Sequence, residues 1–86
     1  MTDRQKNYQP GPIFHDAFLA GMRAMGSNVR EFAERNGVNF QNVRGFSTGW
    51  SNGPKARKIR EAMIREIGPD LFDALYQKRL EQETTK

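Results

Sequence analysis

The chain of 86 residues has no cysteine, so neither a disulfide framework nor a thiolate metal site is available to it. Its stability is expected to rest on a packed core of Phe, Leu, Ile, Val, Met and Ala, in a reducing, cytoplasmic setting. No apolar run is long enough to span a bilayer, and the opening "MTDRQKNYQPGP" is too polar and too rich in Pro and Gly for a signal peptide, so the reading is soluble, with no membrane partner. There is a single histidine, His15, next to Asp16, and no Gly-rich loop followed by Lys and Ser or Thr. Neighbours on a helix point about 100° apart, so His15 and Asp16 make no dyad, and no His and carboxylate spacing suits a metal. The pattern is that of a non-enzyme with no cofactor and no metal. His15 reads as a surface or boundary residue. Acid is the scarcer charge: fourteen Lys and Arg face ten Asp and Glu, a net charge of +4. That balance suits a polyanionic partner.

What is present is helical spacing. After Pro10-Gly11-Pro12, the residues Phe14, Ala17, Phe18, Gly21, Met22 and Met25 recur at intervals of three and four, which predicts a first helix stopped at Gly26. Ser27 or Asn28 can cap a second, with Val29, Phe32 and Ala33 inward and Arg30, Glu31, Glu34 and Arg35 outward. Asn36-Gly37 ends it, Asn39 can cap a third, and Val43 and Phe46 face in before Gly49 and Trp50. Pro54 suits the first turn of a fourth helix with Ala56, Ile59, Met63 and Ile67 on its inner stripe. Pro69 and Asp70 open a fifth, before the polar "EQETTK". No strand alternation, repeat or second core is present. The expected fold is an all-α, compact four- or five-helix domain over 13–80, with a flexible arm at 1–12 and a frayed tail at 81–86. Trp50 is expected in the core.

The stretch "VREFAERNGVNFQNVRGF" carries the functional signal. Counted from Val29, a small residue stands fifth (Ala33), glycine ninth (Gly37), and apolar residues tenth, fifteenth and eighteenth (Val38, Val43, Phe46). Ala33 leaves room for a close helix crossing, Gly37 permits a left-handed turn, and the apolar residues seat both helices. Two helices joined by such a turn form a helix-turn-helix, whose second helix enters the major groove of DNA. By residue chemistry, Gln41 and Asn42 suit adenine, Arg44 suits guanine, and Phe40 either meets a thymine methyl or anchors the helix entry. The segment "SNGPKARKIR" supplies Lys55, Arg57, Lys58 and Arg60 for phosphates, with Ser51 and Asn52 adding uncharged bonds.

With "GWSNGPKARKIREAM" following it, the stretch resembles the lambda-repressor-like helix-turn-helix family, and within it the small Ner-type phage regulators, over roughly residues 13 to 80. The resemblance implies a sequence-specific DNA-binding transcriptional regulator of phage or phage-derived genes, nucleoid-associated when bound. It places base readers at Phe40, Gln41, Arg44, Gly45 and Thr48; residue chemistry adds Asn42 to the base contacts and gives phosphate contacts at Asn39, Ser51, Asn52, Lys55, Arg57 and Lys58. Phe40 and Gly45 depart from the family's usual readers. Arg4 and Lys6 read as a plain tail. The apolar set Leu71, Phe72, Leu75, Tyr76 and Leu80 either forms a homodimer interface or closes the monomer core. Competing roles are an excisionase-like or architectural DNA binder, an activator that also meets RNA polymerase or another regulator, and a protein adaptor.

Overall fold

Each of the expected helices forms in the structure, a computed structural model that describes residues 8–84. They are α1 (Pro12–Ala24), α2 (Val29–Arg35), α3 (Phe40–Thr48), α4 (Pro54–Ile67) and α5 (Pro69–Thr84), with no strand among the described residues. The punctuation is local. Pro12 and Pro54 occupy first turns, where a missing N–H costs nothing. Asn28, rather than Ser27, caps α2, its Oδ1 accepting the Glu31 N–H at 2.9 Å. Asn39 caps α3 by accepting the Gln41 N–H at 2.8 Å.

The core is built on α1, which packs against α3, α4 and α5. Its buried stripe is Phe14, Ala17, Phe18, Gly21 and Met22. At Gly21 a methyl group would lie 2.6–2.8 Å from three carbons of the Ile67 side chain, so the missing Cβ lets α1 and α4 cross closely. A helix as short as α2 cannot hold itself in water, and it is fixed by the fully buried Phe32, whose ring meets Phe18 edge-on at 5.1 Å. Ala33 is buried beside it, as the close crossing of α2 and α3 requires. The Cα radius of gyration, 12.5 Å, fits one packed unit of this length.

Three expectations change. The arm is shorter than 1–12, because Tyr8 to Pro10 are part of the packing. Tyr8 lies edge-on to Phe72 at 5.0 Å and to Tyr76 at 4.8 Å, and its hydroxyl donates to Asp73 Oδ1 at 2.7 Å. Burial, then the Asp73 carboxylate, push that phenol upward from its ordinary value. The Gln9 N–H donates to the Tyr76 hydroxyl, and the Gly11 N–H to the Ser47 carbonyl, so this segment ties α5 to α3. Arg4 and Lys6 lie outside the described residues. At the other end α5 continues to Thr84, and Arg79 there bonds both Asp16 of α1 and Glu83.

The third concerns α5, for which a homodimer interface and closure of the monomer core were both open. Phe72 is fully buried between Phe14, Tyr8 and Tyr76, and Tyr76 is itself buried, so neither can meet a second chain. Leu75 and Leu80 are half-buried against the same core, and only Leu71 of the set is exposed. The apolar surplus of α5 is absorbed because α1, α4 and the Tyr8 segment all cover it.

Candidate nucleic-acid interface

The turn from α2 to α3 runs through Gly37, whose φ of +66° is left-handed backbone that a β-carbon disfavours by roughly 1–2 kcal/mol. Val38 closes the turn by donating its N–H to the Ala33 carbonyl at 3.0 Å and packs against the core. The chain is thereby redirected into α3. That helix buries Val43, Phe46 and Ser47. At about 100° per residue, the opposite arc holds Gln41, Arg44, Gly45 and Thr48, with Phe40 and Asn42 at its two margins. Phe40, Gln41, Asn42 and Arg44 are exposed, while Gly45 and Thr48 are half-exposed. A helix with one buried edge and Gln41, Asn42 and Arg44 exposed on its outer side offers donors and acceptors of the kind that base edges match.

Two side chains of the arc are partly engaged. Thr48 donates its hydroxyl to the Arg44 carbonyl at 2.7 Å, which leaves it only an acceptor to offer. Phe40 is 43 % exposed and serves as a platform, with the Arg30 guanidinium 4.5 Å above its ring. It is therefore not the buried anchor that one reading expected. Arg30 belongs to this face as well, although its spacing on α2 marked it only as solvent-facing. No local pattern links it to a ring ten residues on; the crossing of α2 and α3 does.

Beyond α3 lies the basic segment. Lys55, Arg57 and Lys58 are exposed on the first turns of α4, and none forms an ion pair among the described residues. No side chain caps α4, and a shallow hollow of about 240 Å³ beside its start is lined by Phe46, Ser51, Asn52, Gly53, Pro54, Lys55 and Ala56. Uncapped N–H groups beside lysine form the electropositive setting that a phosphate oxygen seeks. Asn39, by contrast, has its side-chain oxygen committed to the α3 cap. Arg60 is a brace: its guanidinium donates to the Phe46 carbonyl at 2.9 Å and to Asn52 Oδ1 at 3.0 Å, joining α4, the end of α3 and the loop between them.

Trp50 is the clearest reversal. Expected in the core, it is 90 % exposed. Gly49, at φ +91°, turns the chain out of α3, and Pro10 lies so close that a Gly49 methyl group would meet its Cβ at 3.3 Å. The N-terminal segment thus packs over the end of α3, its Gly11 N–H donating to the Ser47 carbonyl at 3.0 Å.

His15 and Ser47 were not joined by any sequence signal. His15 Nδ1 lies 2.6 Å from Ser47 Oγ, which in turn lies 3.2 Å from the Arg44 carbonyl oxygen. The hydroxyl has one proton to give: given to the Arg44 carbonyl it makes His15 Nδ1 the donor, and given to Nδ1 it makes that nitrogen the acceptor. Ser47 is fully buried, which denies it to any substrate and makes the bond a tie between α1 and α3. Burial, then the Arg44 charge, lower the His15 pKa below its ordinary 6.5, with Asp16 opposing. The fold thus favours neutral imidazole, and the unfolded chain takes up its proton first as pH falls. Stability from this group is full above about 6.5 and declines below it. Urea titrations at pH 7.5 and 5.0 are expected to show a larger loss in the parent chain than in His15→Gln; equal losses would remove histidine as a cause.

Compared with known protein families, characterised proteins and solved structures, the chain shows no match.

Proposed function

We propose that this chain binds duplex DNA sequence-specifically and acts as a transcriptional regulator, with α3 lying in the major groove and the start of α4 on the flanking phosphates. The observation that carries the reading is the exposure of Gln41, Asn42 and Arg44 on α3, a helix aimed by the Gly37 turn and followed at once by cations that form no ion pair among the described residues, at an uncapped helix start. Ala33, Gly37, Val38, Val43 and Phe46 sit where a helix-turn-helix of the lambda-repressor type needs small, left-handed and apolar residues. Groove readers of this kind need no cofactor.

Arg44 is the residue assigned to base reading, as its planar fork suits the O6 and N7 of guanine. Selection of bound sequences from random duplex DNA is expected to enrich one motif. Arg44→Ala is expected to weaken binding to it by about 1–3 kcal/mol and to relax preference at one base position. An enriched motif unchanged by Arg44→Ala would remove α3 as the reading helix. Enrichment of no motif, with binding retained, would favour an architectural role.

A further inference from the structure

Most large apolar side chains of this small protein are at least half covered, and Trp50, at 90 % exposure, stands apart. Its backbone is held on both sides. The N–H groups of Gly49 and Ser51 both donate to the Gly45 carbonyl at 3.1 Å, and Arg60 clamps Asn52 and the Phe46 carbonyl beside them. The indole is thus presented from a fixed loop. A methyl group on Gly45 would lie 3.8 Å from Trp50 Cβ, which sets the side chain's root against the outer arc of α3, next to Arg44 and Thr48. On its other side come Ser51, the hollow at the α4 N-terminus and Lys55.

The immediate chain neighbours, Gly49, Ser51, Asn52 and Gly53, are small or polar, not the large apolar residues that typify a protein-binding patch. A lone aromatic flanked by cations and phosphate-type donors matches instead the alternation of a nucleic-acid backbone, in which apolar deoxyribose faces lie between charged phosphates. We infer that Trp50 is a DNA contact in its own right, laying its indole against deoxyribose at the groove edge beside α3, with the adjoining phosphate at Ser51, Lys55 and the α4 N-terminus. This rests on the DNA-binding reading. The contact adds affinity without sequence preference, since every nucleotide carries the same sugar.

Trp50 is the chain's single tryptophan, so its emission reports on the contact without a label. On titration with random-sequence duplex in low salt, followed in parallel by anisotropy of the labelled duplex, Trp50 is expected to become shielded from acrylamide as the complex forms. Trp50→Ala is expected to weaken binding about ten-fold for all sequences, leaving the selected motif and the salt slope unchanged, and Trp50→Phe to recover most of the loss. Circular dichroism should be the same for all three chains because the side chain packs on little. Binding with Trp50 still open to acrylamide, and equal affinity for Trp50→Ala, would overturn this contact and leave the DNA reading standing. No anisotropy change at any duplex concentration would remove both. Shielding that rises with protein concentration in the absence of DNA, together with self-association seen by sedimentation that Trp50→Ala abolishes, would reassign the ring to self-association.

Discussion

Phe72→Ala is expected to destabilise the protein by about 3–5 kcal/mol, the range for removing a buried aromatic whose surroundings cannot collapse. The ring is fully buried, and it is a hub rather than a peripheral plug. Phe14 of α1 packs on it at 4.9 Å, Tyr8 at 5.0 Å and Tyr76 at 6.1 Å. Those neighbours are themselves fixed, Tyr8 by its bond to Asp73 and Tyr76 by the Gln9 N–H, so they cannot move in to fill the space without breaking those bonds. A domain of this size has roughly 4–13 kcal/mol in total, so the loss takes a large share. Urea denaturation followed by circular dichroism is expected to give a much lower midpoint with an unchanged slope. A loss under 1 kcal/mol would mean that α5 contributes little to the core. Leu71→Ala, at an exposed site on the same helix, should fall within about 0.5 kcal/mol of the parent.

Replacing Lys55, Arg57 and Lys58 together by Gln is expected to have the second large effect, on binding rather than on folding. Each cation that neutralises a phosphate adds about 0.9 to the slope of log affinity against log salt, so loss of three should lower that slope by about 2.7. At about 0.1 M salt this corresponds to roughly 10²–10³-fold weaker binding, spread evenly over all sequences. The three side chains are exposed and take no part in the core, so the folded state should be unaffected. An unchanged slope would show them to be an ordinary solvated face. The contrast with Arg44→Ala is diagnostic, because that variant should alter preference at one base position and the triple variant at none.

The number of helices and most of their ends were readable from the chain because their causes are local. Asn28, Asn39, Pro54, Gly37 and Gly49 act through hydrogen bonds or backbone angles within a few residues of themselves. The inner stripes followed from three- and four-residue spacing, and Phe14, Phe18, Phe32, Val43, Phe46, Ile59 and Met63 are all buried as that spacing requires. The exposed arc of α3 follows from the same rule, as the complement of its buried edge. Where the reading of α5 left two uses for its apolar residues open, spacing was no help, since a helix face covered by a second copy and one covered by the same chain look alike in sequence.

What the sequence alone determined, then, is the helical class, the turn at Gly37, the exposed row on α3 and the dense positive charge after it, all of which depend on residues close together in the chain. The tertiary structure alone decided that Tyr8 joins the core, that Phe72 and Tyr76 are covered by their own chain, that His15 ties to Ser47 and Arg60 to the α3 end, that Arg30 stacks on Phe40, and that Trp50 stands in solvent. Most of these pairings join residues far apart in sequence, and which of them form depends on how the helices cross. At Gly49, beside Trp50, the packed neighbour is Pro10, some forty positions earlier, whose place there no local rule could supply.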